Sequence, residues 1–358
     1  MYVALWLMPI KKIAIKDFIE QASKGILLDV RSPGEYLHAQ IPGAISLPVF
    51  TDDERKVVGT AYKQQGRQPA IKLGIDYWGA KMKTTIEEVE KIIAKNAEQL
   101  SEQTIYLYCW RGGMRSAAVA WLLDLYGYNV CLLTGGYKAY RTWALLQFQK
   151  KYECNIIAGY TGSGKTELLH RLAQYHLPTI CLETMARHKG SAFGGFNQPP
   201  QPSQEMFENI LALALHKNEE KIFFIEDESK RIGALNIPNE FWQTMRAQPV
   251  YFIEIPFDER LAYILKEYGT LNKEALQTAI LRIKKRLGPQ ETKTAIQHLE
   301  EGNYKDCFKI LLHYYDKYYL KALNNRENIT LLLNKIECQT VDTISNFEKL
   351  RLCTTVNI

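Results

Sequence analysis

Asn155-Ile156-Ile157-Ala158-Gly159-Tyr160-Thr161-Gly162-Ser163-Gly164-Lys165-Thr166 is an apolar run that feeds a complete phosphate loop. The spacing Gly-x-x-x-x-Gly-Lys-Thr is a strong signal when a strand precedes it and a helix follows, as the flanking residues predict here. Backbone N–H groups of residues 161–166 would wrap a phosphate at the helix N-terminus. Lys165 would neutralise the outer oxygens, and Thr166 stands where a Mg²⁺ ligand is normally found. The candidate phosphate-binding set is Gly159, Thr161, Gly162, Ser163, Gly164, Lys165 and Thr166. Further on, Ile222-Phe223-Phe224-Ile225 runs into Glu226-Asp227-Glu228, a second acidic element with Asp227 as the candidate metal-facing carboxylate. Such a loop recognises phosphate groups, not the molecule attached to them, so the ligand and any use of Mg²⁺ stay open.

Upstream lies a second anion cradle, Cys109-Trp110-Arg111-Gly112-Gly113-Met114-Arg115-Ser116. The strand Thr104-Ile105-Tyr106-Leu107-Tyr108 delivers the cysteine, and an apolar helix follows over residues 116–126. Convergent N–H groups of such a turn and the positive end of the helix favour thiolate over thiol. They would equally stabilise an anionic adduct such as a persulfide or perselenide. Cys109 is the candidate catalytic nucleophile. Arg111 and Arg115 add charge to the rim, and Gly112 and Gly113 permit the backbone angles a cradle needs.

The rest of the chain reads as two α/β domains with a helical continuation. At 358 residues there is length for two cores, and 46% hydrophobic with 23% charged residues is ordinary for globular proteins. Short apolar runs at Ile26-Leu27-Leu28-Asp29-Val30 and Val130-Cys131-Leu132-Leu133 predict buried parallel strands. Ile41–Pro48 predicts a further short strand, and 86–100 has helical spacing. A compact domain over 10–145 follows. A phosphate-loop α/β domain spans 151–258, with strands also at 179–182 and 250–253. Residues 259–358 read as its mostly helical extension, weakly patterned from Asn328, where one strand and one short helix are expected.

The net charge of +6 permits an acidic partner without demanding one. Seven dispersed cysteines, with no Cys-x-x-Cys pair, argue against a disulfide framework and a zinc ribbon. The apolar start at residues 1–8 lacks a basic leader and is interrupted by Lys11 and Lys12, so neither a signal peptide nor a membrane span is expected. The expected location is the cytoplasm.

Asp29-Val30-Arg31-Ser32-Pro33 through His38 to Ile41-Pro42-Gly43-Ala44, with Leu133-Thr134-Gly135-Gly136-Tyr137, resembles the rhodanese family over most of residues 10–145. The cysteine loop departs from it. Five residues separate Cys109 from Arg115, one more than in the usual sulfurtransferase loop and closer to the rhodanese-like phosphatases. A wider loop has room for a tetrahedral oxyanion.

The segment between these signatures, Asp53 through Arg67 and Ala70-Ile71-Lys72-Leu73-Gly74, narrows the resemblance. With Arg187-His188-Lys189-Gly190-Ser191-Ala192-Phe193-Gly194, Pro202-Ser203-Gln204, Phe207-Glu208-Asn209 and Glu226-Asp227-Glu228-Ser229, the chain resembles the tRNA 2-selenouridine synthase family over about residues 10–325. Lys189 stands where arginine is expected, which keeps charge but loses bidentate phosphate geometry. The resemblance implies an enzyme acting on wobble 2-thiouridine in tRNA. It implies geranyl diphosphate and selenophosphate as substrates, no tightly bound cofactor, and the selenophosphate-producing enzyme as a further partner.

Arg282, Lys284, Lys285 and Arg286 form a basic cluster on a predicted helix, suited to RNA phosphates. Arg55, Lys56, Lys63, Arg67 and Lys72 form a second candidate tRNA patch. The aromatic stripe around His313–Tyr319 could stack bases, but its spacing fits packing better. The rival reading is a phosphate-loop kinase with an appended rhodanese sulfurtransferase module, for which ATP turnover without tRNA would be diagnostic.

Overall fold

Ile26–Asp29 and Thr104–Tyr108 are buried along their whole length, and Asn129–Leu133 along all but its first residue. Such runs suit parallel strands covered by helices on both faces. The computed structural model describes residues 10–96, 98, 103–269 and 272–354. The chain forms two compact units, Met1–Gln147 and Phe148–Ile358. The apolar start at residues 1–8 and the end of the helical reading at Leu100 lie outside the described residues.

The first unit runs β1 (Lys11–Ile13), α1 (Ile15–Ala22), β2 (Ile26–Asp29), α2 (Pro33–His38), β3 (Ile45–Ser46), α3 (Asp52–Gln64), α4 (Arg67–Gly79) and α5 (Met82–Asn96). It closes with β4 (Thr104–Tyr108), α6 (Met114–Leu125), β5 (Asn129–Leu133) and α7 (Gly136–Gln147). The sheet order is β1-β5-β4-β2-β3, all parallel, so the cysteine follows the central strand. Ligands of parallel α/β sheets bind at these carboxyl ends. Local chemistry fixes the helix starts. Ser32 and Glu35 form a capping box ahead of Pro33, and Thr51 and Glu54 form another at α3. The stretch read as a strand over 41–48 pairs only at Ile45 and Ser46, where Pro42 and Pro48 bound it.

The second unit runs β6 (Cys154–Ala158), α8 (Lys165–Gln174), β7 (Thr179–Ile180), α9 (Leu182–Ala186), α10 (Gln204–Lys217) and β8 (Phe223–Glu226). A small antiparallel pair follows, β9 (Arg231–Ile232) and β10 (Leu235–Asn236), then α11 (Asn239–Arg246) and β11 (Val250–Glu254). Helices α12 (Phe257–Tyr268), α13 (Lys273–Leu287), α14 (Pro289–Glu300) and α15 (Tyr304–Asn324) come next, then α16 (Ile329–Leu332), β12 (Leu333–Glu337) and α17 (Thr343–Cys353). The parallel sheet order is β12-β11-β6-β8-β7, again with the key loop after the central strand. The tail therefore supplies the fifth strand. It also covers the phosphate-loop helix, with Phe347 of α17 stacked on Tyr175 just beyond α8 at 4.5 Å between centroids.

Candidate functional site

In the first unit, the Cys109 sulfur is buried and receives the Gly113 amide at 3.3 Å and the Ser116 hydroxyl at 3.2 Å. Burial disfavours the charged sulfur. The Ser116 hydrogen bonds, the Arg115 charge and the Arg111 amide outweigh it and hold the thiol pKa below the ordinary value. Arg115 is itself aimed by Glu35, 2.8 Å away, and Arg111 is exposed at the rim. Gly112 is the position that requires glycine. Its φ is +64°, and a Cβ there would lie 2.8 Å from the Leu133 carbonyl. Gly113, at φ −98°, has no such need.

Beneath the cradle sits a buried polar core. Arg31 pairs with Asp29 at 2.5 Å and donates to the Ala39 carbonyl at 2.7 Å. The Tyr108 hydroxyl donates to Asp29 at 2.8 Å and accepts the Ile41 amide at 3.1 Å. The Arg31 guanidinium lies 3.9 Å from the centre of the Tyr137 ring. Tyr137 and Lys138 return amide hydrogens to the Cys109 and Trp110 carbonyls at 2.8 and 3.0 Å. The hydroxyl of Tyr108, the residue before the nucleophile, is thus engaged by Asp29 and the Ile41 amide, while Tyr137 and Lys138 anchor the cysteine loop.

In the second unit, Gly164 takes φ +71° at the turn into α8, and Lys165 reaches back to the Gly159 carbonyl at 3.0 Å. Arg260 of α12 braces the loop. It donates to the Thr161 carbonyl at 3.0 Å, pairs with Asp316 at 2.7 Å and lies 4.7 Å from the Tyr160 ring centre. Lys189, from the loop between α9 and α10, pairs with Glu267 at 2.6 Å.

Asp227 is not the carboxylate that meets Thr166. Its Oδ1 is taken by Arg326 and its Oδ2 by the Tyr319 hydroxyl. Thr166 donates instead to Glu183, 2.6 Å away, a residue the sequence reading passed over. Glu183 in turn donates its amide to Glu226 Oε1 at 2.8 Å. Burial pushes the Glu226 carboxyl up to about 7, and burial with the Glu183 charge raises Glu228 well above the usual carboxylate range. Among the described residues, no three His, Cys, Asp or Glu side chains are grouped to hold a metal ion.

The remaining candidates are surface features. Arg55, Lys63 and Arg67 are exposed on α3 and α4, as are Arg282, Lys284, Lys285 and Arg286 on α13. The aromatic stripe packs. Tyr315 is part of a core with Phe193 and Phe308 and accepts the Ala192 amide, while Tyr319 is pinned between Asp227 and Gly159.

Residues 14–142 match the rhodanese-like domain, and residues 152–346 match the tRNA 2-selenouridine synthase AAA domain. A protein of Bdellovibrio bacteriovorus described as tRNA 2-selenouridine synthase is 35% identical, covering 86% of this chain and 90% of that one. The chain belongs to the tRNA 2-selenouridine synthase family. Another relative with that description, from Shewanella frigidimarina, is 33% identical over 84% of this chain and 89% of its own length. A third, from Nitrosomonas europaea, is 38% identical over 68% of this chain and 63% of its own length. In this member of the family, Ser116, Glu183, Arg260, Tyr319 and Arg326 complete the two loops. Ser116 alone had a local signal, seven residues after the cysteine and so within the first turn of the following helix.

Proposed function

We propose that the protein is a tRNA 2-selenouridine synthase that works in two steps on wobble 2-thiouridine. First the thiocarbonyl sulfur attacks C1 of geranyl diphosphate; a C–S bond forms, the C–O bond breaks, and diphosphate leaves with the electron pair. Then the selenium of selenophosphate adds at C2 of the base, a C–Se bond forms, and the C–S bond breaks as the geranyl thiolate departs with the electron pair; water then cleaves the Se–P bond and releases phosphate. Alkylation makes sense of the order, because it converts a poor leaving group into a good one.

The observation that carries the reading is the pairing of a low-pKa cysteine cradle with a complete phosphate loop in a member of this family. Cys109 is the residue at the cradle where the selenium donor binds. Gly113 and Ser116 hold the anionic form at its sulfur. The phosphate loop cradles the diphosphate of the prenyl donor, with Lys165 on its oxygens. Thr166 and Glu183 are the residues that would hold a divalent cation, whose chemistry there is to neutralise the departing diphosphate. The exposed bases of α3, α4 and α13 serve tRNA phosphates. A reducing cytoplasm suits seven free thiols, and no helix among the described residues is long and apolar enough to cross a membrane.

The test uses 2-thiouridine tRNA with geranyl diphosphate and then selenophosphate, with nucleosides read by mass. Lys165→Ala should lose geranylation and still selenate pre-geranylated tRNA, whereas Cys109→Ser should do the reverse. Intact geranylation by Lys165→Ala would remove the diphosphate from the phosphate loop, and no new nucleoside with the wild type would defeat the whole reading.

A further inference from the structure

Trp110, the residue after the nucleophile, keeps 40% of its surface open at the rim of the cysteine cradle. Burial is what an indole ordinarily gains from folding, and this one forgoes much of it. The chain nevertheless holds it in place. Lys138 donates its amide to the Trp110 carbonyl at 3.0 Å, and Tyr137 donates to the Cys109 carbonyl at 2.8 Å. The fully buried Tyr137 ring backs the indole, with 5.7 Å between centroids and 36° between planes. The Arg31 guanidinium, paired with Asp29, lies 6.0 Å from the indole centre. All of this support comes from buried groups, so the solvent side of the ring is left open.

The surroundings narrow what can cover it. Arg111 and Met114 are exposed on the same loop, and Lys138 is exposed where its amide meets Trp110. A purely apolar partner would strip water from these cations and give nothing back. A nucleotide meets both demands, with a flat base for the indole and phosphates for the cations. Position adds a constraint. With the selenium donor seated at the Cys109 cradle, C2 of the base has to come within bond-forming reach of it, beside residue 110.

We propose that Trp110 is the platform on which the wobble base of tRNA stacks, presenting C2 to the cysteine cradle. The assignment rests on the proposed function for the identity of the base and the seat of the donor, and adds the side chain that positions the ring. Trp110 is a positioning residue that makes and breaks no bond, so stacking is separable from selenium transfer.

The test is filter binding of the full chain to two RNAs, tRNA with 2-thiouridine at the wobble position and the same tRNA with an abasic wobble nucleotide. Wild type should prefer the intact base. Trp110→Ala and Trp110→Leu should weaken binding of the intact tRNA by about fivefold to a hundredfold, the range for losing one base–aromatic stack, and leave the abasic tRNA within about twofold. Trp110→Phe should retain most of the preference. A merely structural side chain would weaken both RNAs alike. Alkylation of Cys109 by iodoacetamide reports whether the cradle is intact in each variant; where alanine disturbs the loop, the contrast between leucine and phenylalanine carries the test. Equal losses for both RNAs would overturn the platform, as would a Trp110→Leu variant that binds like wild type. Selenation by the wild type, with base preference unchanged in Trp110→Ala, would remove the platform and leave the proposed function standing. Base-selective loss in the variants, with no selenium incorporated by the wild type, would keep the platform and defeat the proposed function.

Discussion

The Tyr319 hydroxyl donates to Asp227 at 2.7 Å, and its oxygen accepts the Gly159 amide at 3.1 Å. One side chain of α15 thus locks the end of β8 to the first residue of the phosphate loop. Arg326 takes the other oxygen of Asp227, and both of its remaining nitrogens are buried without a partner among the described residues. Asp227→Ala should therefore leave a buried arginine wholly unpaired and cost about 3–5 kcal/mol. Tyr319→Phe leaves the Gly159 amide unsatisfied and should cost about 1–3 kcal/mol. Urea denaturation of both variants checks the ranking; equal losses would contradict it.

Ser116→Ala removes the hydroxyl that most favours the Cys109 thiolate. The thiol pKa should rise, so alkylation by iodoacetamide at neutral pH should slow and its half-maximal pH should move up. Wild-type protein should react at lower pH than an ordinary cysteine. Matching profiles for the two proteins would remove Ser116 from the cradle.

Glu226 supplies a pH signature of stability. Its pKa is raised to about 7 in the folded chain by burial, against about 4.5 when exposed. The native state therefore binds the extra proton across that window, and this group's contribution to stability falls as pH rises from about 4.5 to about 7. Glu226→Gln keeps an oxygen for the Glu183 amide and removes the titration. Denaturation midpoints at pH 5 and pH 8 should lie closer together in the variant than in the wild type.

Arg282, Lys284, Lys285 and Arg286 are exposed on α13. Reversing Lys285 and Arg286 to Glu should weaken tRNA binding at all sequences alike. It should also flatten the plot of log affinity against log salt, by roughly one unit per lost phosphate contact. Filter binding across a KCl series measures both; an unchanged slope would take α13 off the RNA.

Both anion loops were legible because each is a contiguous string whose glycines and strand-to-helix setting are written locally. Lys165 and Cys109 needed no tertiary information. Glu183 and Arg326 did, since they reach the phosphate loop from 17 and 99 residues away from their partners Thr166 and Asp227. The same holds for Asp29 and Tyr108, bonded across 79 residues. Asp227 attracted the metal role because it follows a buried strand, yet neighbours with no motif of their own decide what it pairs with. β12 was faint in the sequence for a plain reason. It is an edge strand in which only Ile336 is buried, so its residues carry little hydrophobic pattern.

That faint strand sets a timetable for the nascent chain. Every strand of the first sheet has emerged once Leu133 leaves the ribosome, so that unit can close early. The second cannot. The open side of β11 waits for Leu333–Glu337, and Val341, which packs against Gly164 at the phosphate loop, comes later still. A ribosome that stalls short of those residues would release a chain whose cysteine cradle is finished and whose donor cradle is missing its flank, with an unpaired strand edge exposed to any other chain nearby.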